Sequence, residues 1–145
     1  TGMASRTAGL TRVVVAPIVS KYVSFIVAPS QWIFSHRLAV FAYDSFGHFA
    51  VLQANHHEAW ARFYSSTLET RINYSPSDCF ENYSFPIDFK GLETTGEQYY
   101  EHRKQTMIMR NLGLTDLYNL LNDPTVMTPA IVTMRDIQRE LDNAV

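Results

Sequence analysis

A chain of 145 residues, 46% hydrophobic and 18% charged, suits one domain with one core, and its single cysteine, Cys79, excludes both an internal disulfide framework and a cysteine zinc site. The net charge of −2 argues against a uniformly basic nucleic-acid binder, yet it averages over a marked asymmetry. The first 43 residues carry Arg6, Arg12, Lys21 and Arg37 with no Asp or Glu, whereas residues 74–145 hold six basic against eleven acidic residues. A basic N-terminal part is thereby suited to phosphates, and an acidic C-terminal part to water or protein.

The apolar run over residues 13–28 is interrupted by Pro17, Ser20, Lys21 and Ser24. It falls short of the ~18 clean apolar residues of a membrane span and reads as strands. Thr1 to Ser5 precede no uninterrupted apolar stretch of signal-peptide type, so the expected setting is the cytoplasm, away from membranes. Residues 12–27 and 34–43 are rich in β-branched and aromatic side chains and are predicted strands, separated at Pro29-Ser30. Asp44 or Ser45 then offers an N-cap, and Phe49, Leu52, His56, Trp60 and Phe63 share one face of a helix predicted to run to about Thr67. Trp60 and Phe63 are its expected anchors, with Gln53, His57, Glu58 and Arg62 facing outward or to the edge, and His56 packing near Trp60.

Residues 71–74 and 80–85 read as short extended pieces with bends at Pro76 and Pro86. Thr95 is a candidate cap for a helix over about 96–112, ended by Gly113 in a left-handed conformation. Thr115 opens a shorter helix that stops near Asp123-Pro124. Thr128-Pro129 starts the last helix, with an apolar stripe of Ile131, Met134, Ile137 or Gln138, and Leu141. The predicted class is α+β: a small, mostly antiparallel or mixed sheet packed on one long helix, then a helical C-terminal arm. Residues 1–95 would form the sheet-and-helix part and 96–145 the arm of one domain.

Catalytic constellations are weak. His56-His57-Glu58 lacks the second histidine at the position of Ala61 that a helical zinc site needs. Asp78, followed by Asp88-Phe89-Lys90, mimics the carboxylates and lysine with which nucleases hold magnesium, but Pro86 interrupts the strand that should carry the second acid. Cys79 has no neighbouring base to lower its pKa and reads as a small buried side chain. No Gly-rich phosphate loop, nucleophile elbow or Asn-Pro-Pro-aromatic string is present.

Three strings in fixed order remain: His57-Glu58-Ala59-Trp60-Ala61-Arg62-Phe63; Tyr74-Ser75-Pro76-Ser77-Asp78-Cys79-Phe80 running on to Phe85-Pro86; and Arg110-Asn111-Leu112-Gly113-Leu114-Thr115-Asp116-Leu117-Tyr118-Asn119 with Asp123-Pro124 behind it. Over roughly residues 12–145 the chain resembles the C-terminal target-recognition region of large bacterial DNA methyltransferases of the restriction-modification and phage-exclusion type, IIG-like and adenine-specific. The resemblance implies a DNA sequence-recognition fragment that holds duplex DNA for an upstream catalytic domain of the same parent chain, without enzymatic activity or cofactor of its own. The parent would be an S-adenosylmethionine-dependent DNA (adenine-N6) methyltransferase, with the cofactor bound in that upstream domain.

Such a role needs cations for phosphates and a few side chains for base edges. The acid-free segment offers Arg12, Lys21 and Arg37 for phosphates, and Ser20, Gln31 and His36 for polar contacts near bases or sugars. Two other classes stay open: a protein-interaction domain docking through its helical arm to the methyltransferase or a partner subunit, and a small magnesium-dependent nuclease.

Overall fold

The computed structural model describes residues 9–68, 71–86, 89 and 91–145. The fold is α+β, with two three-stranded antiparallel sheets and five α-helices among the described residues. Strand β1 (Arg12–Pro17) is the centre of the first sheet, flanked by β3 (Ile26–Pro29) and β4 (Leu38–Phe41). The second sheet has β6 (Arg71–Asn73) between β2 (Val19–Ser20) and β5 (Ser66–Leu68). The long predicted strands are cut short. Pro17 ends β1 opposite Leu38, so residues 34–37 find no partner strand and leave the sheet.

The single helix expected between Ser45 and Thr67 is two helices, α1 (Phe46–Gln53) and α2 (Asn55–Tyr64), joined at Ala54 with ψ 148°. Ser45 caps α1, its hydroxyl accepting from the His48 amide at 3.1 Å. Gln53 explains the break: rather than facing outward, it is buried and serves as a surrogate strand partner. It accepts from the Phe25 amide at 2.8 Å and donates to the Val23 carbonyl at 3.2 Å.

The break also turns α2. His57, expected at the surface, is fully buried against Phe25, Tyr74 and Tyr83. Phe63, expected as an anchor, is 80% exposed, and Trp60 is half-buried against Tyr64 and Tyr83. His56 is exposed and bonds the Asp142 carbonyl instead of packing on Trp60.

A π-helical turn, Pro76–Phe80, forms at the bend expected at Pro76, between the two expected extended pieces, and buries Cys79. The helical part begins at Leu92 with α3 (Leu92–Arg110), so Thr95 lies in its first turn rather than capping it. Gly96 lets α3 lie directly on α1: a Cβ there would overlap the carbonyl of Phe46. Helix α3 ends at Asn111, which takes the left-handed conformation (φ 52°) expected of Gly113, and Gly113 is extended. Asparagine tolerates that region better than other side chains.

Helix α4 (Leu114–Leu121) is followed by α5 (Pro129–Ala144), which starts after Thr128 as expected and buries Ile131, Met134 and Leu141 completely. Arg135 of α5 donates to the carbonyls of Leu120, Leu121, Asp123 and Val126, closing the C-terminal end of α4. Among the described residues no helix is long and apolar enough to cross a membrane.

Candidate nucleic-acid interface

Because β3 and β4 both run antiparallel to β1, they are parallel to each other. The connection between them, residues 30–37, must therefore travel the length of the sheet. It leaves Pro29, opposite Arg12, and rejoins at Leu38, opposite Pro17. The sheet face it crosses bears Val13, Val15 and Ala28, and Phe34 packs there beside Ile26 and Val40. The opposite face, with Val14, Ala16 and Phe41, belongs to the main core under the helices. One strand thus serves two cores by simple alternation.

Both ends of the crossover are tied. The Ser30 amide donates to the Thr11 carbonyl at 3.0 Å and its hydroxyl to the Leu10 carbonyl at 2.5 Å. At the far end the Ile18 amide donates to the Arg37 carbonyl at 2.9 Å, and the Ser35 hydroxyl accepts from the Arg37 amide at 3.2 Å. With Phe34 turned in, its neighbours turn out: Ile33 is 100% exposed and Trp32 60%. Gln31, His36 and Arg37 are also exposed, and among the described residues no hydrogen bond or ion pair engages the side chains of these three.

The other three candidates are occupied within the fold. Arg12 donates to the Asp44 carbonyl at 2.7 Å, with its guanidinium 4.8 Å from the Phe46 ring centre. Ser20 donates to the Tyr22 carbonyl at 2.6 Å. Lys21 donates to Asn119 Oδ1 at 2.7 Å, an acceptor shared with the Tyr22 hydroxyl at 2.8 Å. The structure therefore places Gln31, His36 and Arg37 on the crossover, Gln31 near its start beside the Arg12 end of β1 and His36 and Arg37 at its far end. Ser20 ends β2 in the second sheet, and Lys21, the next residue, reaches Asn119 on α4.

Trp32 and Ile33 were not singled out from sequence, although a signal existed. Three consecutive large apolar residues, Trp32, Ile33 and Phe34, in a connecting segment cannot all face one sheet.

Elsewhere the geometry gives little chemistry. His57 Nε2 lies 2.6 Å from the Tyr74 hydroxyl, and burial pushes the imidazole pKa down to about 4. Burial also raises the Tyr74 phenol and the Cys79 thiol, away from nucleophilic character. Asp78 is exposed on the π-helical turn, and Asp88 and Lys90 lie outside the described residues. No group of three His, Cys, Asp or Glu among the described residues is placed to hold a metal ion. A groove of about 320 Å³ is lined by Glu58, Arg135, Arg139 and Asp142, whose charges are met within the chain by Arg62, four carbonyls, Asp136, and Asn55 with Gln138.

No protein-family model and no curated protein matches the chain. Among solved structures, its fold matches part of MmeI, a Type IIL restriction-modification enzyme solved in complex with DNA, with a TM-score of 0.69 and 21% identity. The superposition covers 93% of this chain and 18% of that one, so the chain spans less than a fifth of the enzyme's length. At this identity the likeness establishes a shared fold.

Proposed function

We propose that the chain is the DNA sequence-recognition domain of a bacterial restriction-modification methyltransferase and positions duplex DNA for an S-adenosylmethionine-dependent, adenine-N6-directed catalytic domain of the same parent chain in the cytoplasm. The observation that carries this reading is the fold shared, over nearly the whole chain, with a segment of a restriction-modification enzyme solved on DNA. The acid-free crossover, with the Arg37 and His36 side chains uncommitted, supports it.

Arg37 is the phosphate contact of this proposal. Arg12 and Lys21 serve the fold first and reach DNA only by leaving the partners described above. In a salt titration of duplex binding by the full-length protein, Arg37→Ala weakens binding to all sequences and lowers the slope of log affinity against log salt by about one unit. An unchanged slope with unchanged affinity would count against the assignment.

The interaction-domain reading has one observation in its favour. Ile108 and Met109 at the end of α3 and Met127 before α5 are 65%, 82% and 67% exposed. These side chains are suited to docking the helical arm on a neighbouring domain, a role compatible with DNA recognition by the crossover.

A further inference from the structure

We infer that the crossover between β3 and β4 is the element that enters a groove of the duplex, and that Ile33, with Trp32 beside it, makes an apolar contact to the bases. This rests on the proposed DNA-recognition role and adds to it the reading element and the kind of contact. Three features of the segment support it.

The first is the cost of the arrangement. An isoleucine left fully in water beside a mostly exposed tryptophan forgoes burial that the adjacent Val13 and Val15 obtain, although Phe34 shows that this segment does reach that face. Second, the exposed pair is held rather than loose: the ties at Ser30 and Arg37 and the Phe34 anchor fix both ends and the middle of an eight-residue segment. A contact made by a preorganised segment loses less conformational entropy on binding.

The third feature is charge. The flanking side chains are Gln31, His36 and Arg37, and no acid occurs between Gly9 and Tyr43. A protein partner for an apolar knob sets no such condition, but a polyanion does. Duplex DNA combines phosphates with apolar surface only in its grooves, as thymine methyl groups and the faces of partly opened base steps.

The test is selection from a pool of randomised duplexes by the full-length protein, wild type and the variants Ile33→Asn and Trp32→Ala, with melting temperatures measured alongside. Both side chains are largely exposed, so both variants keep the wild-type melting temperature. The expected result is a motif enriched by wild type, with each variant binding that motif at least about tenfold more weakly and losing preference at one or two of its positions, the salt slope being unchanged. Two variants that retain wild-type affinity and motif would overturn the inference and leave the proposed function standing. Variants that keep DNA binding but fail to methylate would overturn it in favour of the crossover as a docking surface for the catalytic domain. If wild type enriches no sequence, the proposed function falls and the inference with it.

Discussion

Two arginines mark the opposite uses to which this fold puts its cations. Arg103 on α3 is 2% exposed and, among the described residues, has no carboxylate partner. Instead it donates to the Phe25 carbonyl at 2.5 Å, Gln53 Oε1 at 3.1 Å and the Tyr118 hydroxyl at 3.1 Å, with the rings of Phe49, Tyr99 and Tyr100 around its guanidinium. Arg37 on the crossover is exposed, and its side chain bonds to no described residue. A buried cation must have its donors satisfied for the fold to exist, and neutral oxygens with aromatic faces supply that here. An exposed cation beside bare apolar groups has no such structural duty. The fold thus engages the Arg103 side chain fully among its own groups, whereas the Arg37 side chain has no hydrogen-bond or ion-pair partner among the described residues.

The comparison breaks if the two positions respond alike to truncation. Arg103→Ala leaves the Phe25 carbonyl without its donor, removes one of the two hydrogen bonds to Gln53 Oε1 and opens a void between α1, α3 and α4, so we expect a loss of roughly 3–5 kcal/mol by chemical denaturation. The same change at Arg37 is expected to stay within about 0.5 kcal/mol of wild type. A loss below about 1 kcal/mol at Arg103 would mean that the network is dispensable and that burial of this cation needs another explanation.

That network also shows why parts of the fold were legible in sequence and others were not. The stripe of α5 was readable because its burial follows helical period alone: Ile131, Met134 and Leu141 are fully buried, and the start at Thr128-Pro129 falls where expected. Ala54 gives no local signal, since alanine favours helix. The break there is imposed from a distance by Gln53 engaging residues 23–25, and every facing assignment after it rotates, which is why His57 and Phe63 exchange roles. Backbone propensity ranks Gly113 above Asn111 for the left-handed position, yet α3 ends at Asn111 and Gly113 is extended.

The candidate interface was half legible. The acid-free composition singles out residues 1–43, the third of the chain that carries the crossover. Which of its polar residues the fold would engage depended on contacts to Asp44 and Asn119, far away in sequence, and Trp32 and Ile33 went unnoticed inside a segment partly assigned as strand.

A second way to sharpen the contrast uses pH. His57 is fully buried, with Nε2 beside the Tyr74 hydroxyl, and burial lowers its pKa from the ordinary 6.5 to about 4. Above 6.5 the ring is neutral in both folded and unfolded chains, and its contribution to stability is fully present. Between 6.5 and about 4 the unfolded chain binds a proton that the folded chain refuses, so stability falls as pH drops through that window, by on the order of 2–3 kcal/mol from this group. Carboxylates add their own dependence, so the measurement is a difference: unfolding free energy against pH for wild type and His57→Gln. The wild-type curve should fall more steeply across the window. Parallel curves would show that His57 is reached by protons in the native state.

The smallest expected effects separate two neighbours on the crossover. Phe34 is partly buried on Val13, Val15 and Ala28, so Phe34→Ala should cost about 1–2 kcal/mol, roughly half the value for a fully buried aromatic ring. Ile33→Ala, one residue away and fully exposed, should change stability by less than about 0.5 kcal/mol. Their effects on DNA selection should not follow that order. Ile33→Ala removes the contact itself, whereas Phe34→Ala releases the segment that presents it. Both should therefore weaken discrimination between selected and scrambled duplexes, and only Phe34→Ala should also lower the melting temperature. If Phe34→Ala destabilises the protein while leaving discrimination intact, the anchored crossover is a structural cover for the outer face of β1, and the preorganisation argued for it plays no part in recognition.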